Sequence, residues 1–393
     1  MKLKTFAPAD VAGKKTLLRV DFNVPFRDGK VQDDLRIRAH APTIERLLGA
    51  GAHVALVSHF GRPDGHVVPE MSLGQLVGDV ERVYGKKVHF VDDCVGDKVT
   101  DAMNSLPQGD LLLLENSRFH PEEQKNDPDF AKLMARPFEV FVMDAFSAAH
   151  RADVTTNGIM SVLPSFAGNL LVKEGEMLGI VCEKPHIPYV LIFGGAKVSD
   201  KIGVVKFLSD LANTVLIGGG MAYTFLKTDR RAIGKSLREE DRYVFARDIM
   251  DSARTAGAKV YLPLDSVVAD GPNATTSSVS DDVPDDKMGL DIGPKTIELF
   301  TKSILSAKSI LWNGPMGVFE NPMFAEGTKA LCEAVAKATS WGAISVIGGG
   351  DTASAVRKFG FADKVSWIST GGGATLEYCS GKPMPGMDPL RID

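Results

Sequence analysis

Short apolar runs alternate with longer amphipathic segments along almost the whole chain. The runs are rich in valine, leucine and isoleucine and have the length of buried parallel strands, and helical patterns such as 36–51 and 73–85 lie between them. The predicted strands are residues 15–21, 53–58, 87–91, 110–116, 140–145, 189–195, 214–220, 259–263, 309–314, 344–350 and 365–370. Alternation of strand and helix predicts parallel sheets covered by helices on both faces.

The chain has 393 residues, which is enough for two domains with a core each. We predict an α/β fold of two doubly wound, Rossmann-like parallel-sheet domains, separated by a cleft and joined by a helical hinge. Segment 170–184 has the pattern of one helix, and the boundary is placed there, giving domains 1–172 and 173–393. The C-terminal tail is free to pack back on the first domain. Segment 270–286 has the composition of an exposed loop or a small irregular hairpin.

Composition and charge exclude several classes of protein. Hydrophobic residues make up 44% of the chain, charged residues 24%, and the net charge is −5, so no bulk attraction to nucleic acid or membrane is expected. The absence of a signal-peptide core or a long apolar segment predicts a cytoplasmic protein. Neither a zinc site nor a disulfide framework is indicated by the spacing of the four cysteines, Cys94, Cys182, Cys332 and Cys379.

Arginines follow the predicted strands of the first half. Ligands of open α/β sheets bind beyond the carboxyl ends of the strands, so residues at these positions are candidates for a site. Three of these turns and the start of the next helix supply Arg62, Arg118, Arg151 and Arg36. A single arginine there is most simply a solvated charge. Four on one sheet edge predict a site for a small polyanion, because guanidinium groups match the paired oxygens of phosphate and carboxylate.

The strand ends of the second half carry glycine instead. Glycine lets the backbone approach a ligand closely and leaves N–H groups at helix starts free for phosphate. The glycine-containing turns are residues 194–197, 218–220, 313–317, 348–352 and 370–373. One such turn is explained by a tight connection from strand to helix. Five on one sheet edge, with lysines nearby, predict a nucleotide site.

Three familiar nucleotide motifs do not match. The segment "IGKS" (233–236) lacks the earlier glycine of a P-loop, since Asp229 stands at that position. The segment "GAGAHV" (49–54) ends in Val54 where a dinucleotide fingerprint needs glycine, and a strand follows it. The catalytic motifs of protein kinases are missing as well. The predicted nucleotide site is therefore of another kind.

Long ordered motifs spread over essentially the whole chain resemble those of the phosphoglycerate kinase family. They are "LLRVDFNVP" (17–25), "SHFGRP" (58–63), "DAFSAAHRA" (144–152), "GGAKVSDKI" (194–202), "LWNGPMGVFE" (311–320), "GGGDT" (348–352) and "STGGGATLE" (369–377). The resemblance implies reversible phosphoryl transfer from 1,3-bisphosphoglycerate to Mg-ADP, giving 3-phosphoglycerate and ATP in glycolysis. It also implies Mg²⁺ as cofactor, ATP or ADP as co-substrate, and a monomer.

The resemblance also implies roles for individual residues. The phosphoglycerate would be held by Asp21, Asn23, Arg36, His59, Arg62, Arg118 and Arg151. The nucleotide would be held by Lys197, Lys201, Gly219, Gly220, Gly289, Pro315, Glu320, Gly349, Gly350, Asp351 and Thr352, with Asp351 on the magnesium. The catalytic set would be Arg36, Lys197, Lys201, Gly350 and Gly372.

The sequence departs from the family pattern at two positions. Ser147 stands in "DAFSAAHR" where the family usually has glycine, and Ser117 stands before Arg118 where it has an apolar residue. Both residues are small, and neither change removes a donor. The departures therefore concern local turn geometry more than function.

The residue types suit phosphoryl transfer to a carboxylate. A carboxylate is already deprotonated at neutral pH, so the reaction needs positioning and charge neutralisation rather than a general base. His59 and His150 are interpreted as anion donors or structural groups. Lys197 and Lys201 share a face if a helix includes both. Asp351 either meets magnesium or only caps a helix, and Thr352 either shares that cap or touches a phosphate.

Two other functions are consistent with parts of the pattern. A two-lobed, non-catalytic binding protein for a phosphorylated small acid would explain the arginines. It would not explain the lysines and Asp351 on the other sheet. A nicotinamide-dependent dehydrogenase is disfavoured by the missing fingerprint. Formation of ADP from Mg-ATP and 3-phosphoglycerate would separate these functions.

Overall fold

Two parallel sheets form the frame of the structure. The computed structural model describes residues 1–199 and 201–392. Contacts divide the chain into two units, Met1–Glu176 with Pro383–Asp393, and Met177–Lys382. The division between Glu176 and Met177 falls within a single helix, α8. Each unit has its own sheet and its own core.

The first unit is built on a fully parallel sheet. Its elements in chain order are α1 (Pro8–Val11), β1 (Lys15–Arg19), β2 (Phe26–Arg27), β3 (Lys30–Val31), α2 (Leu35–Ala39), α3 (Ala41–Gly49), β4 (His53–Val57), α4 (Val77–Tyr84), β5 (Val88–Val91), α5 (Asp97–Ser105), β6 (Leu111–Leu114), α6 (Pro121–Gln124), α7 (Pro128–Ala135), β7 (Val140–Met143), β8 (Ser165–Ala167) and α8 (Asn169–Cys182). The sheet order is β5-β6-β4-β1-β7-β8, and β2 and β3 form a separate hairpin.

The strands of this sheet are apolar because helices cover both faces. Strand β1 pairs in register with β4 from Lys15 opposite His53 to Arg19 opposite Val57, and with β7 on its other side. Leu17 and Leu18, on opposite faces of β1, are both fully buried. The chain ends also meet within this unit, because Leu3 bridges to Arg391 and the Lys4 N–H donates to the Leu390 carbonyl at 2.8 Å.

The second unit repeats the architecture and adds a small antiparallel sheet. Its elements are β9 (Tyr189–Phe193), α9 (Ile202–Ser209), β10 (Thr214–Ile217), α10 (Ala222–Thr228), α11 (Tyr243–Thr255), β11 (Lys259–Tyr261), β12 (Ser266–Ala269), β13 (Ser278–Ser280), β14 (Met288–Ile292), α12 (Pro294–Leu305), β15 (Ser309–Asn313), α13 (Glu326–Ser340), β16 (Ile344–Gly348), α14 (Gly350–Lys358), β17 (Trp367–Ile368) and α15 (Gly373–Cys379). The main sheet runs β11-β10-β9-β15-β16-β17, and the small sheet runs β13-β12-β14.

The two α/β units with parallel sheets confirm the predicted fold class. The predicted helix over 36–51 is wrong in one respect, because His40 interrupts it between α2 and α3. Pro42 lies in the first turn of α3, where its missing N–H costs no hydrogen bond. The strands β8, β12 and β14 were not predicted, and the segment 270–286 contains β13, which pairs with β12.

None of the helices in the described residues is long and apolar enough to cross a membrane.

Candidate functional site

The carboxyl ends of four neighbouring strands bring the predicted anion residues of the first unit to one edge. Asp21 and Asn23 follow β1, His59 follows β4, Arg118 follows β6, and Arg151 follows β7. These strands are adjacent in the sheet, in the order β6-β4-β1-β7. Because parallel strands all end at the same edge, the turns after them converge.

Arg36 is held at this edge by the turn after β1. Its Nη1 donates to Asp21 Oδ2 and to the Asn23 carbonyl, at 2.9 Å in each case. The Asn23 N–H donates to Asp21 Oδ1 at 2.9 Å, and Asn23 Oδ1 accepts from the Gly61 N–H at 3.0 Å. One network therefore fixes the turns after β1 and β4 relative to each other.

The Asp21 carboxyl remains ionised at the strand edge. Burial by itself raises its pKa, but the Arg36 guanidinium and the hydrogen bonds that the carboxylate accepts outweigh burial and lower the pKa to about 2. One of those bonds comes from Ser147, whose hydroxyl donates to Asp21 Oδ2. Ser147, one of the two departures from the family pattern, thus contacts a predicted site residue directly. Ser117, the other departure, donates to Glu123 Oε1 at 3.2 Å.

His59 is a neutral hydrogen-bond donor. Arg19 Nη2 lies 3.0 Å from His59 Nδ1, and an arginine can only donate, so Nδ1 accepts and the ring proton lies on Nε2. Burial and then the charge of Arg19 hold the pKa of His59 well below its usual value of 6.5. The sequence prediction did not include Arg19. An arginine at the end of an otherwise apolar strand was the signal for it.

Arg118 is a buried cation with spare donor capacity. Its Nη1 donates to the Gly61 carbonyl at 3.1 Å, Nη2 lies 3.9 Å from Asp153 Oδ2, and Nε has no hydrogen-bond partner. Burial and the neighbouring Arg151 lower the pKa of Arg118 to about 10. A desolvated guanidinium beside a second one is stabilised by an anion. Arg62, by contrast, is exposed.

A cavity of about 320 Å³ lies over the strand ends of the second unit. Its lining includes six of the predicted nucleotide residues, Gly219, Gly220, Gly289, Pro315, Glu320 and Asp351. Apolar walls come from residues that the sequence prediction did not include, such as Leu237, Met288, Leu290 and Met316. A concave apolar site with a few polar groups at its edge is typical of a small-ligand pocket.

Two of the glycines in this wall leave no room for a side chain. A Cβ on Gly219 would lie 2.5 Å from the Gly195 nitrogen, and its φ of +63° is left-handed. A Cβ on Gly289 would lie 1.8 Å from the Tyr223 hydroxyl. The close backbone approach at these positions therefore shapes the cavity, as the glycine pattern predicts.

Asp291 is a buried carboxyl in the lining of the cavity. Its oxygens accept N–H groups of Gly327 at 2.7 Å and Ile292 at 2.9 Å. Burial outweighs these two hydrogen bonds and raises the pKa of Asp291 to about 7.

The two predicted lysines do not share a helical face. Helix α9 begins at Ile202 with Lys201 as its N-cap residue, so Lys197 precedes the helix and the condition for a shared face is not met. Lys197 is exposed, whereas Lys201 is buried and its Nζ would lie 3.3 Å from a Cβ placed on Gly195.

The starts of α14 and α15 also carry predicted residues. Gly349, with φ +85°, is the N-cap of α14. Asp351 lies exposed in the first turn, so the alternative in which it only caps the helix is wrong. Thr352 is buried, and its hydroxyl accepts the Gly314 N–H at 2.6 Å. Gly372 is the N-cap of α15. Lys197, Lys201, Gly349, Gly350, Thr352 and Gly372 are not among the described residues that line the cavity.

One α/β unit has a cationic strand edge that suits a small polyanion. The second unit of the same chain has a glycine-walled cavity that suits a nucleotide. A small-molecule kinase, which transfers a phosphoryl group between a nucleotide and a small substrate, needs both sites. A model of the phosphoglycerate kinase family matches residues 6–382. The phosphoglycerate kinase of Chloroherpeton thalassium is 48% identical over 99% of both chains, and that of Thermosipho africanus 46% identical over 98% of this chain and 97% of its own. The chain therefore belongs to the phosphoglycerate kinase family.

Solved structures show the same relationship. The structure of phosphoglycerate kinase from Coxiella burnetii aligns with a TM-score of 0.90 at 37% identity, covering 99% of each chain. The structure from Pyrococcus horikoshii aligns with a TM-score of 0.80 at 30% identity, covering 97% of this chain and 96% of that one. The chain is accordingly an enzyme, and its reaction is the reversible phosphoryl transfer between 1,3-bisphosphoglycerate and ADP in glycolysis. A non-catalytic binding role is not favoured.

Proposed function

We propose that the arginine-lined edge of the first unit binds the phosphoglycerate and that the cavity of the second unit binds Mg-ADP or Mg-ATP. The observation that carries the first half is the buried Arg118, with its unpartnered Nε, beside Arg151 and the donor Nε2 of His59. Phosphate and carboxylate oxygens would supply the charge and acceptors that these groups lack.

Within this site Asp21 cannot itself bind an anion, because its pKa of about 2 keeps it charged. It orients Arg36, and its carboxylate is suited to accept a hydroxyl of the glycerate. Asn23 fixes the loop at Gly61. Arg62, which is exposed, would reach the same ligand from solvent. Arg36 would steady the charge on the transferring phosphoryl group.

In the second unit the adenosine would lie against the apolar walls of the cavity and against Gly219, Gly220, Gly289 and Pro315. Glu320, at the cavity wall, would accept from the ribose hydroxyls. Lys197 and Lys201 would meet the phosphates. The N-termini of α14 and α15, at Gly349, Gly350 and Gly372, would direct N–H groups at the transferring group, and Thr352 would support them.

Magnesium fits the donors that the site offers. Asp351 presents one exposed carboxylate at the cavity wall, and a single hard oxygen ligand is what Mg²⁺ takes when nucleotide phosphates supply the others. When bound, the ion would neutralise phosphate charge during transfer. The residues of this chain then position the two substrates without a general base, since the attacking carboxylate is already ionised.

The proposed subsites predict a selective effect of Arg62. We expect Arg62→Ala to raise the KM for 3-phosphoglycerate at least tenfold more than the KM for Mg-ATP, because Arg62 would touch only the first substrate. Initial rates of ADP formation, with each substrate varied in turn, measure both constants. Equal effects on the two KM values would contradict the assignment of one substrate to each unit.

Asp351→Ala tests the other unit. We expect weaker use of Mg-ATP with nearly unchanged affinity for 3-phosphoglycerate and an unchanged melting temperature, because Asp351 is exposed and caps no helix. Titration of Mg²⁺ at fixed ATP checks the metal role. An active variant with a lowered melting temperature would instead indicate a structural role.

Three further features are proposed from the family and the reaction. Direct transfer between two units requires the ligands to meet, so we propose that the units close about a hinge that includes α8. Closure would also exclude water from the acyl phosphate. As a glycolytic enzyme, the protein is proposed to act in the cytoplasm, as a monomer and without nucleic-acid or membrane partners.

A further inference from the structure

His40 lies behind the proposed phosphoglycerate site, in the short break between α2 and α3. Its side chain is 1% exposed. The Asp21 N–H donates to His40 Nε2 at 2.9 Å. A backbone N–H can only donate, so Nε2 carries no proton and the ring proton lies on Nδ1. The ring is thus neutral, with one tautomer fixed by its partners.

The proton on Nδ1 is directed at a second buried group. His40 Nδ1 donates to Asp144 Oδ2 at 2.8 Å, and Asp144 is fully buried. The other carboxylate oxygen, Oδ1, accepts the N–H groups of Leu170 at 2.9 Å and Leu171 at 3.3 Å. Those residues form the first turn of α8. Asp144 therefore links the His40 ring to the start of this helix.

The contact at the start of α8 is closely packed. A Cβ placed on Gly168, the residue before the helix, would lie 2.1 Å from Asp144 Oδ1. The Asp144 carboxyl therefore packs directly against the backbone at the start of α8. Buried hydrogen bonds connect α8 through Asp144 and His40 to the Asp21 backbone.

Asp21 is held on its other side by the groups of the proposed site. Its Oδ2 accepts from Arg36 and from Ser147. His40 therefore contacts the backbone of the residue whose side chain pairs with Arg36. A shift of about 1 Å in a substrate-positioning group can cost on the order of a hundredfold in rate.

We propose that His40 is a positioning residue for the phosphoglycerate site, which accepts the Asp21 N–H and thereby sets the Asp21 backbone and, through it, Arg36. The proposal rests on the assignment of Asp21 and Arg36 to phosphoglycerate. His40 touches neither substrate. It acts through Asp21.

Two conservative variants separate the two halves of the contact. His40→Gln places an amide oxygen near the position of Nε2, where it can accept the Asp21 N–H. His40→Asn places an amide nitrogen near the position of Nδ1, where it can donate to Asp144. His40→Ala removes both contacts and leaves the buried Asp21 N–H without a partner. Each variant is measured by steady-state kinetics in both substrates and by thermal melting.

We expect His40→Ala to raise the KM for 3-phosphoglycerate and to lower kcat, by about ten- to a hundredfold in kcat/KM, with the KM for Mg-ATP within twofold of wild type. His40→Gln should recover most of this loss. His40→Asn should not, although it keeps the Asp144 contact. Rescue by Asn equal to that by Gln, or altered melting temperatures with unchanged kinetics, would overturn the proposal.

Arg62→Ala is the control for the underlying assignment. If it leaves the KM for 3-phosphoglycerate unchanged, the proposed site itself is wrong. If it raises that KM while all His40 variants behave as wild type, only the role of His40 is wrong.

A spectroscopic measurement on the wild-type protein does not depend on the folding of any variant. Nitrogen-15 NMR of histidine-labelled protein reports the tautomer of each ring. We expect the His40 signal to show the proton on Nδ1 and none on Nε2. A proton on Nε2 would exclude the Asp21 contact and with it the proposal.

Discussion

Arg36 and Arg38 show how two positions on one short helix receive different tasks. Arg36 reaches inward to the buried Asp21 at 2.9 Å. Arg38 points outward and pairs with Asp34 through Nε at 2.8 Å and Nη2 at 2.9 Å, with about half of its side chain exposed. Side chains two positions apart leave a helix about 200° apart, so only one of them can face the strand edge.

Replacement of each arginine by alanine should separate these tasks. We expect Arg36→Ala to lower kcat by about 10³–10⁵, the range for an arginine that stabilises a transferring phosphoryl group. Arg38→Ala is the matched control and should keep kcat, both KM values and the melting temperature close to wild type. An inactive Arg38→Ala variant would show that the role belongs to the other face of the helix.

The buried Asp291 makes a second prediction at the residue scale. In the folded state the pKa of the Asp291 carboxyl is about 7, so the group stays protonated up to a pH near that value. In the unfolded chain the carboxyl loses its proton near its ordinary pKa of 3.8. The folded state therefore binds more protons between these values, and the contribution of Asp291 to stability is present at low pH and lost as pH rises towards 7.

Comparison with Asp291→Asn isolates this effect from the other titrating groups. Between pH 5 and 7 the unfolding free energy of wild type should fall relative to that of the variant by roughly 2 kcal/mol, since one pKa unit corresponds to about 1.4 kcal/mol. Urea unfolding at several pH values measures the difference. A difference that stays constant with pH would contradict the raised pKa.

At the scale of elements, the turns after the strands decide where each helix begins. Gly219, in the turn between β10 and α10, has a left-handed backbone and lies against the backbone of Gly195. Gly257, after α11, is also left-handed, with φ +88°, but has open space around its Cβ position. A side chain at Gly257 would therefore meet backbone strain alone, whereas one at Gly219 would meet strain and a close contact.

Alanine substitution at both positions tests this separation. Gly257→Ala should cost about 1–2 kcal/mol of stability, the usual strain of a left-handed residue. Gly219→Ala should cost roughly 3 kcal/mol or more, because backbone must move as well, and should raise the KM for Mg-ATP. Chemical unfolding and kinetics measure both. Equal losses in the two variants would mean that the Gly195 contact is relaxed without cost.

At the scale of the whole molecule, the two proposed substrates belong to different units of the chain. Direct phosphoryl transfer requires the acyl phosphate of one substrate and the terminal phosphate of the other to be in contact. We expect the radius of gyration from small-angle scattering to fall when 3-phosphoglycerate and a non-transferring Mg-ATP analogue are both present. Each ligand alone is the control and should produce a smaller change. No compaction with both ligands would count against closure.

The sequence alone was sufficient for the architecture and for most residues at the strand ends. Apolar runs of strand length form where they were predicted because burial on both faces of a parallel sheet demands them. The turn residues followed, since the edge at which parallel strands end is fixed by topology. Arg36, Arg118 and Arg151 could therefore be named from the sequence as candidates at that edge, and their contact with phosphoglycerate stays a prediction.

Only the tertiary structure decided which groups lie behind that edge. Arg19, His40 and Asp144 are far apart along the chain. From the sequence alone, each is equally consistent with an ordinary solvated or core residue. The structure also fixed two helix starts, since Lys201 is the N-cap residue of α9 and Asp351 lies within the first turn of α14. Periodicity reports which face of an element is buried, whereas a hydrogen bond between distant residues depends on a backbone geometry that exists only once the sheet has formed.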